Sequence, residues 1–65
     1  MLNYRVYRLN LDGRIMRADY VAAADDEAAI LAVRAQASKT ACEIWLDKRK
    51  VAVIPAGGGE PARPE

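Results

Sequence analysis

The chain has 65 residues and a net charge of +1, from ten basic and nine acidic side chains, so the overall balance favours neither nucleic acid nor an anionic membrane. A domain of this size buries only ~60% of the surface its unfolded chain exposes, which limits it to one small core. With no histidine and one cysteine, neither a metal nor a disulfide staple is readily built, and association with a partner is the remaining stabilising device.

The lone Cys42 fits a reducing compartment. It lies in an apolar stretch with no histidine to lower its pKa, so it reads as a small buried hydrophobe and not as a reactive thiol. Arg5 and Arg8 fall where a signal peptide would need its apolar stretch, and no run approaches the ~20 apolar residues of a membrane span. The expectation is a cytoplasmic protein without membrane attachment.

Residues 2–11 interleave the β-formers Tyr4, Val6, Tyr7 and Leu9 with Arg5 and Arg8, which predicts a first strand. Gly13 takes positive φ at no steric cost, so Asp12 and Gly13 form the turn that returns the chain into a second strand over 14–21. Asp25, Asp26 and Glu27 then precede a run of good helix formers from Ala28 to Val33. Asp25 is the expected N-cap, with Asp26 and Glu27 complementing the positive end of the helix dipole and Arg34 and Lys39 the negative end. Ile30, Val33 and Ala37, with Ala29 beside them, make an apolar stripe that should lie on the sheet.

Residues 41–46 read as a third strand, Asp47, Lys48 and Arg49 as a charged turn, and 50–54 as a fourth strand ended by Pro55. Residues 1–55 thus form a single α+β domain. Residues 56–65, with three consecutive glycines and two prolines, read as a disordered low-complexity tail.

A right-handed crossover through the helix places strand three beside strand one. The predicted architecture is β-β-α-β-β, a four-stranded antiparallel sheet of order 2-1-3-4 with the helix on one face. If Val6, Ile15, Cys42 and Ile44 point at the helix, period two sends Arg5, Tyr7, Leu9 and Trp45 to the open face. A two-residue turn at Lys48 and Arg49 sets Val51 and Val53 beside Ile44, whereas a three-residue turn at Asp47, Lys48 and Arg49 sets Ala52 and Ile54 there, and the second is the register expected.

The run Tyr4-Arg5-Val6-Tyr7, then Gly13-Arg14-Ile15, the acidic start Asp25-Asp26-Glu27-Ala28-Ala29-Ile30, Glu43-Ile44-Trp45 and Arg49-Lys50-Val51-Ala52 resembles a group of small proteobacterial proteins without assigned activity. The likeness spans roughly the first 54 residues and rests on short motifs of strands and caps. It implies the same element order and the second of the two registers, and it carries no catalytic residue, substrate or cofactor. Leu46 and Asp47 depart from the polar-glycine turn of that group.

No constellation of catalytic or cofactor-binding residues emerges. Asn10, Asp12 and Asp19 mimic part of a calcium loop, but the first ligand position falls on Arg8, so an ordinary turn is the better account. Asp25, Asp26 and Glu27 fan around a helix instead of converging. The glycines Gly57, Gly58 and Gly59 precede neither a Lys-Ser/Thr pair nor a helix, which removes a phosphate loop. Ser38, Thr40 and Cys42 have no histidine to serve as base, so an enzyme is not expected.

Two functions remain. One is an interaction module whose open face, with Arg5, Tyr7, Leu9 and Trp45, is covered by a second copy or by another protein. The alternative is single-stranded nucleic-acid binding, with Tyr7 and Trp45 as stacking platforms beside Arg5, Arg17, Lys48, Arg49 and Lys50. Asp19, Glu43 and Asp47 on the same strands offset those cations and disfavour it.

Overall fold

The computed structural model describes residues 1–36 and 39–63. Ala37 of the expected helical stripe, Ser38 of the candidate nucleophiles and Pro64 of the tail lie outside the described residues.

The elements are β1 (Leu2–Leu9), β2 (Ile15–Ala23), α1 (Asp26–Ala35), β3 (Cys42–Leu46) and β4 (Arg49–Ile54). They form one sheet of order β2-β1-β3-β4 in which every neighbouring pair is antiparallel, as the crossover argument requires. No helix among the described residues is long and apolar enough to cross a membrane.

Asp25 has extended dihedrals and accepts from the Ala28 amide at 2.9 Å, so the helix starts where its first free donors find a carboxylate. Asp26 and Glu27 occupy the first turn and Arg34 the last. The face with Ala29, Ile30 and Val33 is buried against Tyr4, Val6, Cys42, Ile44, Val51, Ala52 and Ile54 of the sheet. Removing each large aliphatic of this set from water contributes roughly 1.5–3 kcal/mol, so the helix is held by its contact with the sheet more than by its own propensity.

Each hairpin combines a turn with a compensating bulge. In the first, the Gly13 amide donates to the Asn10 carbonyl at 3.0 Å and the Asn10 amide to the Arg14 carbonyl at 2.8 Å, with Gly13 at φ 82°. Leu11, Asp12 and Gly13 thus form a three-residue loop instead of a two-residue turn at Asp12 and Gly13. The extra loop residue is cancelled by a bulge at Met16, because Leu9 pairs with Ile15 while Arg8 pairs with Arg17. The expectation that Ile15 faces the helix is therefore corrected: it sits opposite Leu9 on the open face and is 60% exposed.

The second hairpin reverses that balance. Leu46 pairs with Arg49, so the turn is Asp47 and Lys48, and Asp47 adopts φ 55°. A bulge at Val51 then shifts the ladder so that Ala52 opposes Ile44 and Ile54 opposes Cys42. The register is the one with Ala52 and Ile54 on the helix side, reached by a two-residue turn plus a bulge and not by a three-residue turn. Because the bulge turns neighbouring side chains the same way, Val51 and Ala52 both enter the core.

Beyond Pro55 the chain turns back along β4. Val53 and Ala62 exchange two backbone hydrogen bonds of 2.8 Å, Arg34 Nε donates to the Gly58 carbonyl at 3.3 Å, and Arg63 pairs with Glu27.

Candidate interaction face

The face of the sheet away from α1 is set by the ladder. Arg5 of β1 lies opposite Tyr20 of β2 and Trp45 of β3, Tyr7 lies opposite Ala18 and Glu43, and Trp45 lies opposite Lys50. Arg5, Tyr7, Leu9 and Trp45 thus share one side, as the alternation along β1 predicts.

Each ring on this face has a cation beside it. The Arg5 guanidinium carbon lies 5.0 Å from the Tyr20 ring centroid and 5.9 Å from that of Tyr7, and its terminal nitrogens donate to both hydroxyls. Lys50 Nζ is 5.6 Å from the Trp45 centroid and 4.0 Å from Glu43, while Trp45 Nε1 donates to Glu43 Oε1 at 3.1 Å. These contacts leave Tyr7 and Trp45 half-buried, with Tyr20 more open at 65% exposure. Leu9 is only 9% exposed, so it supports the face without offering it much contact area.

Tyr20 was not among the residues expected here. Its signal was available, since counting back from a turn at Asp12 and Gly13 also sets Tyr20 opposite Arg5.

Asp47 joins Asn3, Arg5, Tyr7 and Tyr20 around a shallow recess of about 230 Å³. The open face therefore holds Arg5 and Lys50 against Glu43 and Asp47, and its fixed charges cancel. Of the other cations proposed for nucleic acid, Arg17 and Arg49 are not gathered there. Arg17 is 3.2 Å from Asp19, and Arg49 is 3.0 Å from Asp26 at the start of the helix.

On the helix side, Arg8 reaches Asp19 at 3.0 Å, donates to Gln36 Oε1 and lies 3.9 Å from Cys42 Sγ. The Arg8 hydrogen bond, with Arg17 beside it, holds the Asp19 carboxyl below its usual range. Asp19 is thus an ion-pair acceptor in the β1–β2 ladder and is held apart from the loop that carries Asn10 and Asp12. Asn10 uses its side-chain oxygen to accept from the amides of Asp12 and Arg14 at 2.9 and 3.0 Å, which is turn chemistry. Cys42 is buried at 2% exposure.

No family model matches this chain, and neither a curated protein nor a solved structure matches it.

Proposed function

We propose that this chain is a small non-catalytic interaction module that associates with a second copy of itself through the open sheet face. The reading rests on one observation: Tyr7, Tyr20 and Trp45 stand on adjacent strands of a face that no element of the described chain covers, and the fixed charges around them sum to zero. Such a face can meet its own copy without accumulating like charge, Arg5 and Lys50 of one copy finding Glu43 and Asp47 of the other. Aromatic side chains at the centre of an interface carry a large share of its energy.

Trp45→Ala is expected to stay folded while losing the face contact, so that its mass is half that of the wild type, checked by sedimentation and circular dichroism beside the wild type. A wild type that is monomeric at high micromolar concentration would end this reading. Binding of a single-stranded oligonucleotide with a steep salt slope would replace it with the nucleic-acid alternative.

A further inference from the structure

The two outer strands of the sheet end differently. β4 is partnered on its outer side where Ala62 pairs with Val53. Among the described residues β2 has no backbone partner on its outer side, and it carries three exposed large hydrophobics, Ile15, Met16 and Tyr20. Uncovered edges are templates for another strand, and proteins blunt them with proline, lysine or a bulge. β2 has neither proline nor lysine, its charged residues Arg17 and Asp19 are drawn to each other and to Arg8 on the helix side, and its one bulge lies near its start, at Met16. Residues 17–23 continue from there without interruption.

We propose that residues 17–23 pair with the same edge of a second copy, antiparallel about a twofold axis that passes through Tyr20 normal to the sheet. The product is a continuous sheet with four strands from each copy and both helices on one side. This contact goes beyond the face-to-face reading, because it uses the backbone edge of β2 and leaves Tyr7 and Trp45 of the open face free.

Symmetry and charge select the register. In an antiparallel ladder directly opposed residues share a face, so the axis must pass through a residue and not between two. An axis at Asp19 or Arg17 sets like charges directly against each other. One at Ala18 brings the bulge at Met16 into the ladder, and one at Val21 shortens the paired stretch to residues 19–23. An axis at Tyr20 uses the whole regular stretch. Arg17 then faces Ala23 of the second copy, Ala18 faces its Ala22, Asp19 faces its Val21, and the two Tyr20 rings meet.

A second copy fits this edge because no like charges stand directly opposite each other in the new ladder. Arg17 and Asp19 are already paired within the chain at 3.2 Å, with Arg8 closing the cluster, and in this register each meets an uncharged side chain. The alanines at 18 and 22 let the backbones approach.

The opposed pair formed by Ala18 and Ala22 gives the test. Both are exposed, and in one chain they are ~13 Å apart along the strand, too far to pair with each other. In the full-length protein, Ala18→Lys with Ala22→Lys places like charges opposite one another twice across the axis, whereas Ala18→Lys with Ala22→Glu places opposite charges there. Sedimentation equilibrium should show the first variant at half the mass of the second, with the second matching the wild type and circular dichroism showing both folded. Equal masses for the two variants, whether both assembled or both dissociated, would overturn the register, and a monomeric wild type would overturn the contact. Repeating the pair in Trp45→Ala separates the two readings. If the face contact alone is wrong, the response to charge persists unchanged; if the edge contact alone is wrong, it vanishes while Trp45→Ala still dissociates the protein.

Discussion

The Tyr4 hydroxyl donates to Asp26 Oδ1 at 2.7 Å, and the same carboxylate accepts from both terminal nitrogens of Arg49 at 3.0 and 3.2 Å. One side chain in the first helical turn therefore ties the middle of β1 to the start of β4. Tyr4 is fully buried, so its hydroxyl depends on Asp26 for a partner. Tyr4→Phe removes the donor without leaving an orphan and is expected to cost about 1 kcal/mol, a fall in Tm of about 4–8 °C for a domain of this size. Asp26→Ala strands the buried hydroxyl and should cost more. Thermal melts of the two variants that come out in the opposite order would refute the account.

The same contact sets a dependence on pH. Burial, and then the bond to Asp26, pushes the Tyr4 hydroxyl from 10.0 up to about 12. A folded-state pKa above the unfolded value means that the contribution is complete below about pH 10 and is lost as pH rises toward about 12. At the acid end, the Arg49 and Tyr4 hydrogen bonds hold Asp26 below its ordinary value. That contribution is complete above the ordinary carboxylate range and is lost as pH falls through the lowered folded value. Urea midpoints against pH should show a shallower alkaline decline in Tyr4→Phe than in the wild type, and matching declines would remove Tyr4 as its source.

Turn chemistry makes opposite predictions at two positions. Gly13 is at φ 82° with nothing within 4 Å of where a Cβ would stand, so Gly13→Ala costs only the backbone conformation, ~1–2 kcal/mol. Asp47 already carries that cost at φ 55°, and Asp47→Gly should raise stability by up to ~1 kcal/mol. Denaturant titration measures both, and a destabilised Asp47→Gly would mean that its side chain does more for the fold than its backbone costs.

Ile44 has no solvent exposure and sits under the helix. Ile44→Ala should cost ~2–5 kcal/mol, comparable with the whole stability of so short a chain. The expected result is loss of the cooperative urea transition at room temperature; an unchanged midpoint would contradict the burial.

Deleting residues 57–65 removes the Arg63 to Glu27 ion pair, the Arg34 to Gly58 hydrogen bond and the Ala62 pairing, and, among the described residues 57–63, no buried apolar side chain. Exposed ion pairs contribute little, so Tm should stay within a few degrees. A larger fall would show that the segment braces the fold.

The element order and sheet order were legible because period-two alternation, the Asp12-Gly13 signal and the acidic run at Asp25 each have a local cause. The bulges at Met16 and Val51 were not. Each offsets a turn one residue longer or shorter than the ladder needs, and that mismatch exists only once two strands are paired. Strict alternation misplaces Ile15 for this reason, and it offers Val51 and Ala52 as alternatives where the bulge buries both. Arg5, Tyr7 and Trp45 could be placed on one face from alternation alone, whereas Tyr20 required the cross-strand register. The role of Asp26 as a tertiary acceptor was hidden behind its position in a capping sequence, where a helix-dipole function already explained it.

The pairing of Ala62 with Val53 gives the molecule a polarity of growth. A sheet with two bare edges can add neighbours on either side without end, whereas one whose far strand is blocked near its end by its own chain presents its full length for addition only on the other side. In an assembly built by strand addition, Ala62 therefore caps β4 at Val53, an effect that depends on where its backbone lies and is indifferent to its side chain.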